Sequence, residues 1–407
     1  WWNLYRWDGA TVEPVYPLNA EFGLPQWVFG LSTYGFESAH NLICTFQQAG
    51  EQILARLNLK NKQLTELEAP YSQINGITIR DGVAAFLGSS VHQPTRLVRL
   101  DLKTDQLEEL RVSTTLTVAS GYVSAPRVIT FPTTGDREAY GIYYPPKNQD
   151  FQAPEGERPP LLVKSHGGPT AATSAAFNLG IQFWTSRGFA VLDVNYGGCT
   201  SYGRAYRESL KGQWGVVDID DCCQGALYLA DRGRVDRDRL AIDGGSAGGY
   251  TTLGALTFRD VFKAGASYYG VSDMVALAEE THKFESRYLD GLVGPYPEAK
   301  DVYEARSPIF HVDQLACPVI FFQGSEDKIV PPNQAELMVA ALQKKGIPVA
   351  YVLFEGEQHG FRQAKNIQRS LEAELYFYSR VFGFDLAEAI EPVVITHLPD
   401  EHQVEPE

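Results

Sequence analysis

The sequence lacks the features that mark membrane proteins, nucleic-acid-binding proteins and disulfide-rich proteins. No apolar run approaches the ~18 residues that a membrane-spanning helix needs. Acidic residues outnumber basic residues by 50 to 35, and the net charge of -15 would repel nucleic acid and anionic membranes. The five cysteines are an odd number without a C-x-x-C spacing, which argues against a disulfide framework and a zinc site. We therefore expect a reducing, cytoplasmic setting without nucleic-acid or membrane partners.

The chain also lacks an initial methionine and the basic and apolar regions of a signal peptide, since it begins at Trp1. We expect it to be an excerpt from a longer protein. A chain of 407 residues is too long for one ordinary domain, so two domains are expected. With 44% hydrophobic residues the chain can bury sizeable cores, which excludes wholesale disorder.

Residues 1 to about 115 contain an internal repeat. The segment ARLNLKNKQLTEL (55–67) matches VRLDLKTDQLEEL (98–110), 43 positions later, and a looser copy spans 4–15. Each copy reads as a β-hairpin, and further strand-like pieces at 41–46 and 82–87 give about four strands per period. This is the period of a β-propeller blade, although an unrelated meander of strands is the alternative. A ring usually needs about four to eight blades, so we predict the last two to three blades of a propeller.

From about residue 116 short apolar strands alternate with amphipathic helices. This pattern predicts a mostly parallel sheet covered by helices on both faces, with its active site at the carboxyl ends of the strands. We predict strands at 161–165, 190–194, 240–243, 264–268, 319–322 and 349–354. We predict helices at about 217–232, 248–258, 333–345 and 365–382.

The stretch LAIDGGSAGGY (240–250) runs from a predicted strand through a glycine-dense turn into a predicted helix. Within it, GGSAG (244–248) fits G-x-S-x-G, the turn that holds the nucleophilic serine of an α/β-hydrolase. The glycines are needed because side chains beside such a sharp turn would clash with the adjacent strand and helix. Ser246 is therefore the candidate nucleophile, with an ordinary glycine–serine loop as the alternative.

A serine nucleophile needs a base, which in this fold comes after it in the chain. His359 lies in the loop FEGEQHGF (354–361), directly after the last predicted strand, where an imidazole can reach the serine. The other histidines after Ser246 lack such a setting, and those at the C-terminus lie in an acidic tail where we expect solvated disorder: His282, His311, His397 and His402.

For the acid, Asp327 and Glu326 compete in GSEDK (324–328), which follows a predicted strand, while Asp313 precedes that strand and is a poorer choice. Asp327 is preferred by position. Its role would be to hold the imidazole tautomer and to stabilise the imidazolium that forms.

The oxyanion site is expected from two backbone amides. One is the amide of Ala247, the residue after the serine, and the other comes from KSHGGP (164–169), most simply from Gly168. His166 precedes the serine in the chain, so we interpret it as a loop-shaping residue rather than a catalytic one.

Together these motifs resemble the catalytic domain of the prolyl oligopeptidase family of serine peptidases over about residues 125–383. The resemblance rests on SHGGP (165–169), NYGGCTSYG (195–203), WGVVDIDD (214–221), GGSAGGY (244–250), EDKIVPP (326–332) and QHGF (358–361). A propeller before the hydrolase domain is that family's architecture. The branch it most resembles contains the acylaminoacyl-peptidase and dipeptidyl-peptidase-like enzymes, because other branches carry a tyrosine in place of His166.

The resemblance implies hydrolysis of short peptides, with the propeller limiting substrate size, and three residues that line the pocket before the scissile bond: Val271, Met274 and Val330. Ordinary core packing is the alternative for these three. Some family members carry an arginine two residues after the aspartate, where this chain has Ile329. That puts in doubt an acyl-peptide or endopeptidase preference of the arginine-bearing type.

The expected organisation is a partial propeller at 1–115, a catalytic domain at 116–390 and an acidic tail at 391–407. We expect no metal or organic cofactor, because no residues have ligand spacing. Short peptides are the expected partners, and a homo-oligomer is left open. A carboxylesterase using the same residues and a non-catalytic interaction protein are the rival functions.

Overall fold

The computed structural model describes residues 1–25, 27–48 and 50–398. Its N-terminal part contains a two-stranded hairpin and two antiparallel four-stranded sheets. The hairpin pairs β1 (Tyr5–Trp7) with β2 (Val12–Pro14). The first four-stranded sheet contains, in spatial order, β3 (Tyr34–Phe36), β4 (Asn41–Gln48), β5 (Glu51–Asn58) and β6 (Gln63–Glu66). The second contains, also in spatial order, β7 (Gln73–Arg80), β8 (Val83–Ser89), β9 (Arg96–Asp101) and β10 (Gln106–Val112).

The sequence repeat corresponds to the hairpins β5–β6 and β9–β10, the last two strands of each sheet. Lys62 and Asp105, which are 43 positions apart, both adopt a left-handed backbone at the turn, with φ of 56° and 57°. Four sequential antiparallel strands per repeat is the blade pattern. The expected partial β-propeller is therefore confirmed, as two blades and a preceding hairpin.

Polar side chains join the two blades. The side-chain amide of Gln52, which is buried, donates through its Nε2 to the backbone carbonyl of Ile74 at 2.9 Å. Its Oε1 accepts the backbone amide of Ile74 at 2.7 Å. Arg56 on β5 pairs with Glu37 in its own blade and with Asp105 in the next, where its Nη2 lies 2.7 Å from Oδ1. The second blade is therefore held against the first by specific polar contacts as well as by apolar packing.

The C-terminal part is built on an eight-stranded sheet. Its strands in chain order are β11 (Arg127–Thr133), β12 (Arg137–Tyr144), β13 (Leu161–Ser165), β14 (Ala190–Asn195), β15 (Leu240–Gly245), β16 (Ala264–Tyr268), β17 (Val319–Gly324) and β18 (Val349–Phe354). The spatial order is β11-β12-β14-β13-β15-β16-β17-β18. The strands from β14 to β18 in this order run parallel, and β11 and β12 add an antiparallel edge. Every strand predicted in this part is present.

The helices in chain order are α1 (Leu179–Ser186), α2 (Arg204–Glu208), α3 (Val217–Asp231), α4 (Ala247–Phe258), α5 (Met274–Glu280), α6 (Tyr288–Leu292), α7 (Lys300–Arg306), α8 (Asn333–Lys345) and α9 (Ala364–Phe382). Side chains of α3, α4 and α8 pack on one face of the sheet, and those of α1 and α9 on the other. On β13, Leu161 and Val163 enter the first core while Leu162 enters the second. This arrangement confirms the expected α/β-hydrolase architecture. Within the described residues, no helix has the length and apolar character to cross a membrane.

The predicted acidic tail is partly ordered, which corrects our expectation of solvated disorder. Thr396 exchanges backbone hydrogen bonds with Val349 on the edge strand β18, at 2.9 and 3.2 Å. Arg369 on α9 donates to the carbonyls of Glu391 and Pro392. Backbone pairing to a free sheet edge outweighs the acidic composition here. Residues 399–407, including His402, lie outside the described residues.

The contact between the blades generates a prediction about stability. Replacing Gln52 by alanine leaves the amide and carbonyl of Ile74 without their side-chain partners. We expect the free energy of unfolding to fall by about 2 kcal/mol, since buried polar groups lose their hydrogen bonds. Urea unfolding followed by tryptophan fluorescence measures this change.

Gln63→Ala on the exposed part of β6 is the matched control, and it should change the unfolding midpoint little. Equal midpoints for the two variants would contradict the role of Gln52 between the blades.

Candidate active site

Ser246 lies between β15 and α4 in a backbone conformation that is rare for a residue with a side chain, with φ of 58° and ψ of -120°. Its amide donates to the carbonyl of Tyr268 on the neighbouring strand at 2.9 Å. A Cβ atom on Gly248 would lie 2.0 Å from the carbonyl oxygen of Ser165, and one on Gly249 would lie 2.6 Å from the Cα of Gly270. The glycines of the motif therefore permit a close approach of helix and strands that other residues would prevent.

Three side chains from separate loops meet at the carboxyl edge of the sheet. The Nε2 of His359, in the loop after β18, lies 2.8 Å from the Oγ of Ser246. The Nδ1 of the same ring lies 2.8 Å from the Oδ2 of Asp327, in the loop after β17. The ring edge also packs on Tyr269, with 4.9 Å between centroids. The imidazole is thus held on both nitrogens, in the geometry needed to take a proton from the serine hydroxyl.

The structure separates the candidate acids clearly. Asp327 is 4% exposed, and its Oδ1 accepts the amides of Ile329 at 2.9 Å and Val330 at 3.0 Å. The side chain of Glu326, in the same turn, is exposed. Asp313 lies before β17, at the opposite end of that strand. Only Asp327 of these three contacts the imidazole of His359.

The loop after β13 lies beside the serine. Gly167 and Gly168 line the same cavity as Ser246, and a Cβ atom on Gly167 would lie 3.5 Å from that of the serine. Gly168 has φ of 127°, and its carbonyl accepts the hydroxyl of Tyr288 at 3.2 Å. Ala247 occupies the first turn of α4, where amides have no acceptor inside the helix. Ala247 and the glycine loop thus lie on the cavity wall next to the serine, as an oxyanion site requires.

His166 also lines the cavity, but its ring contacts residues other than Ser246. Its ring stacks on Tyr196, with centroids 4.4 Å apart, and its Nε2 lies 2.9 Å from the Sγ of Cys199. Burial lowers the pKa of His166 to about 4, so the ring is neutral near pH 7. It therefore supports the loop without supplying charge.

The cavity beside Ser246, which we call the Ser246 cavity, has a volume of about 560 Å³. Two of the three predicted pocket residues, Val271 and Val330, line it. Met274 is buried behind them in an apolar cluster. Sequence reasoning missed other wall residues, which come from the turn before α6, from α5 and α6, and from the segment before β3: Leu277, Glu285, Tyr288, Leu289 and Trp27. No strand or glycine motif marks these positions in the sequence. The available signal was Asp273, whose position as an N-cap could have predicted that α5 begins after it.

Asp218 on α3 supports the helix that follows the serine. Its carboxylate accepts the hydroxyl of Thr251 on α4 and the amide of Gly215, both at 2.6 Å. The side chain is fully buried, and burial raises the pKa of Asp218 to about 6 despite these hydrogen bonds.

Among the residues the structure describes, no group of three or more histidines, cysteines or acids could hold a metal ion.

The close packing of Gly248 generates a second prediction. Gly248→Ala should lower the free energy of unfolding by about 3 kcal/mol, because the new methyl group meets the backbone of Ser165. Thermal unfolding measures the loss. Gly291→Ala in α6 is the control, since nothing lies within 4 Å of a Cβ atom there. Two variants of equal stability would show that the strand and helix separate easily at Gly248.

Asp218 generates a prediction about pH. The folded protein holds its proton up to about pH 6, whereas the unfolded chain releases it near pH 3.8, so this group destabilises the fold progressively as pH rises between those values. The carboxamide introduced by Asp218→Asn cannot ionise. The stability of this variant minus that of wild type should therefore increase by about 1 kcal/mol between about pH 5 and about pH 7.5.

Urea unfolding at each pH measures this difference. Asp260→Asn is the control for the exchange of a carboxylate for a carboxamide, because the side chain of Asp260 is 100% exposed and its replacement should change stability little. A pH-independent difference for Asp218→Asn would contradict the raised pKa.

Comparison with known proteins places this geometry in a family. Residues 175–385 match the model of the prolyl oligopeptidase family. Dipeptidyl aminopeptidase BIII of Pseudoxanthomonas mexicana is 35% identical over 213 residues, which are 51% of this chain and 31% of that protein. The acylamino-acid-releasing enzyme of Arabidopsis thaliana is 29% identical over 217 residues, which are 50% of this chain and 28% of that protein.

A solved puromycin-hydrolyzing peptidase of Mycobacterium tuberculosis is similar over nearly the whole chain. The TM-score is 0.94 at 43% identity, and the match covers 97% of this chain and 60% of that one. The chain thus spans less than a third of the length of the two curated relatives and more than half of the solved structure. Since the family model covers more than half of this chain, the protein belongs to the prolyl oligopeptidase family.

Proposed function

We propose that the protein is a serine peptidase that hydrolyses short peptides through an acyl-enzyme, with Ser246, His359 and Asp327 as its triad. The observation that carries this proposal is the continuous hydrogen-bond chain from Ser246 through His359 to the buried Asp327, with 2.8 Å at each step. The family and the puromycin-hydrolyzing and dipeptidyl-peptidase relatives support it.

The mechanism follows from the placement of each group. His359 accepts the proton of Ser246 as its Oγ attacks the substrate carbonyl, and Asp327 stabilises the imidazolium that forms. The amides of Ala247 and Gly168 hold the oxyanion. His359 then protonates the leaving amine, and water repeats the sequence on the acyl-enzyme. The position of the Asp327 carboxylate is fixed because it accepts two backbone amides and also contacts the imidazole.

Substrate choice depends on the walls of the Ser246 cavity. Val271 and Val330, supported by Met274, offer an apolar pocket for the side chain before the scissile bond. The indole of Trp27, from the segment before the first blade, donates to the carbonyl of Thr170 at 3.2 Å and lines the cavity. The propeller side thus reaches the substrate site, which supports a limit on substrate size.

The domain division and the setting of the protein are further parts of the proposal. We place the change from propeller to catalytic domain near residue 115, between β10 and β11. All five cysteines are unpaired, which supports a reducing, cytoplasmic setting.

The triad generates a prediction for the intact protein. Ser246→Ala should lower the turnover of an aminoacyl p-nitroanilide by roughly a millionfold. Asp327→Asn should lower it by roughly ten-thousandfold, because the imidazole loses the partner that holds its tautomer. Absorbance at the p-nitroaniline band measures the rates.

Glu326→Gln is the matched control, since it removes the neighbouring exposed carboxylate and should leave the rate unchanged. Cleavage of p-nitrophenyl esters without any cleavage of amides would favour a carboxylesterase using the same triad. Wild-type rates in Ser246→Ala would overturn the proposal altogether.

A further inference from the structure

The Ser246 cavity has an uneven distribution of charge. Among the described residues that line it, Glu285 is the one carboxylate, and no lysine or arginine is present. Other polar wall groups are histidine rings, hydroxyl groups and backbone. Because the walls are otherwise apolar or neutral, a carboxylate here strongly favours a cationic ligand group.

The backbone around Glu285 is tied to the oxyanion loop. The amide of Tyr288 donates to the carbonyl of Glu285 at 2.9 Å. The hydroxyl of the same tyrosine contacts the carbonyl of Gly168 at 3.2 Å and the hydroxyl of Thr170 at 2.6 Å. Glu285 is therefore held one turn away from a residue that touches the loop beside Ser246.

A second contact holds the same turn from the propeller side. The ring of Phe284 packs edge-on against Phe29, with 5.4 Å between centroids. Trp27, two residues before Phe29, lines the Ser246 cavity itself. The turn that carries Glu285 is thus held by contacts with the Gly168 loop and with Phe29. These contacts fix the backbone from which the carboxylate would bind a ligand group.

The carboxylate is also available to a ligand. The Glu285 side chain is 39% exposed, and its nearest basic neighbour is His282, with 3.8 Å between Nε2 and Oε2. That separation is beyond a hydrogen bond. Asp327, by contrast, is fully engaged by amides and by His359.

We propose that Glu285 binds the protonated α-amino group of substrates, so that the site selects peptides with a free amino terminus over N-acylated ones. This inference rests on the proposed peptidase activity and specifies its substrate class. An ammonium–carboxylate hydrogen bond is roughly twice as strong as a neutral one. An N-acyl substrate offers a neutral amide there, and it leaves the carboxylate desolvated without a charged partner.

A preference for a free amino terminus or for an N-acylated one distinguishes two of the relatives by their names. One is named a dipeptidyl aminopeptidase and another an acylamino-acid-releasing enzyme. Ile329 also lies on the cavity wall and supplies no cation there. The geometry assigns this chain to substrates that keep a free amine.

The test compares matched p-nitroanilides on the intact protein: free aminoacyl, free dipeptidyl and N-acetyl-aminoacyl forms of alanine and phenylalanine. Wild type should cleave at least one of the two free-amino forms, aminoacyl or dipeptidyl, more efficiently than the matched N-acetyl form. Glu285→Gln should raise KM for that form roughly 10- to 100-fold with little change in kcat, because the ammonium loses its charged partner. KM for the N-acetyl form should fall, because no carboxylate is left to be desolvated. Glu285→Asp, which keeps the charge, should restore part of the preference.

Glu280→Gln, on the exposed end of α5, is the matched control and should leave both substrate classes unchanged. Turnover of an N-acetyl substrate or a p-nitrophenyl ester shows that each variant retains a folded site. An equal effect of Glu285→Gln on free and acetylated substrates would overturn the inference.

Two further outcomes distinguish this inference from the peptidase proposal. Preferential cleavage of N-acetyl forms by wild type would overturn the role of Glu285 and leave the peptidase intact. Absence of all amide and ester cleavage by wild type would overturn both.

Discussion

The nucleophile turn at Ser246, with its left-handed backbone, depends on a close approach of α4 to the neighbouring strands. Only glycine fits at the points of contact. The amide of the serine is held by β16, while Gly248 and Gly249 let α4 descend onto the carbonyl of Ser165 and the backbone of Gly270. This contact orients the serine hydroxyl toward the loops after β17 and β18. Since the parallel strands are in fixed register, those loops come to the same edge of the sheet.

The neighbours Glu326 and Asp327 show how burial determines the role of a carboxylate. Both lie in one turn after β17, but Asp327 is buried with its oxygens on two amides and the imidazole, whereas Glu326 is exposed. Of these two carboxylates, only that of Asp327 contacts the imidazole of His359. Glu285 shows a third setting, in which a half-exposed carboxylate lies in the wall of a cavity that has no other carboxylate, lysine or arginine among its described lining residues.

Much of the C-terminal part was predictable because its elements have strong local signals. Short apolar runs gave the parallel strands, and the spacing of Ser246, Asp327 and His359 followed the chain order known for this fold. The wall of the cavity was less predictable. Its short helices α5 and α6 have little periodicity, and Leu289 and Trp27 reach the site only through contacts between distant segments. The C-terminal segment was misjudged because its acidic composition does not reveal the free edge of β18.

The sequence by itself determined the architecture, Ser246, His359 and the turn that supplies the acid, because glycine spacing, strand length and the blade repeat are local properties. Tertiary structure decided which of two adjacent carboxylates contacts His359, which apolar residues face the cavity, and where Glu285 lies. These outcomes depend on burial and on distances between segments far apart in the chain. Such distances follow from packing and sheet register, which no local pattern of residues records.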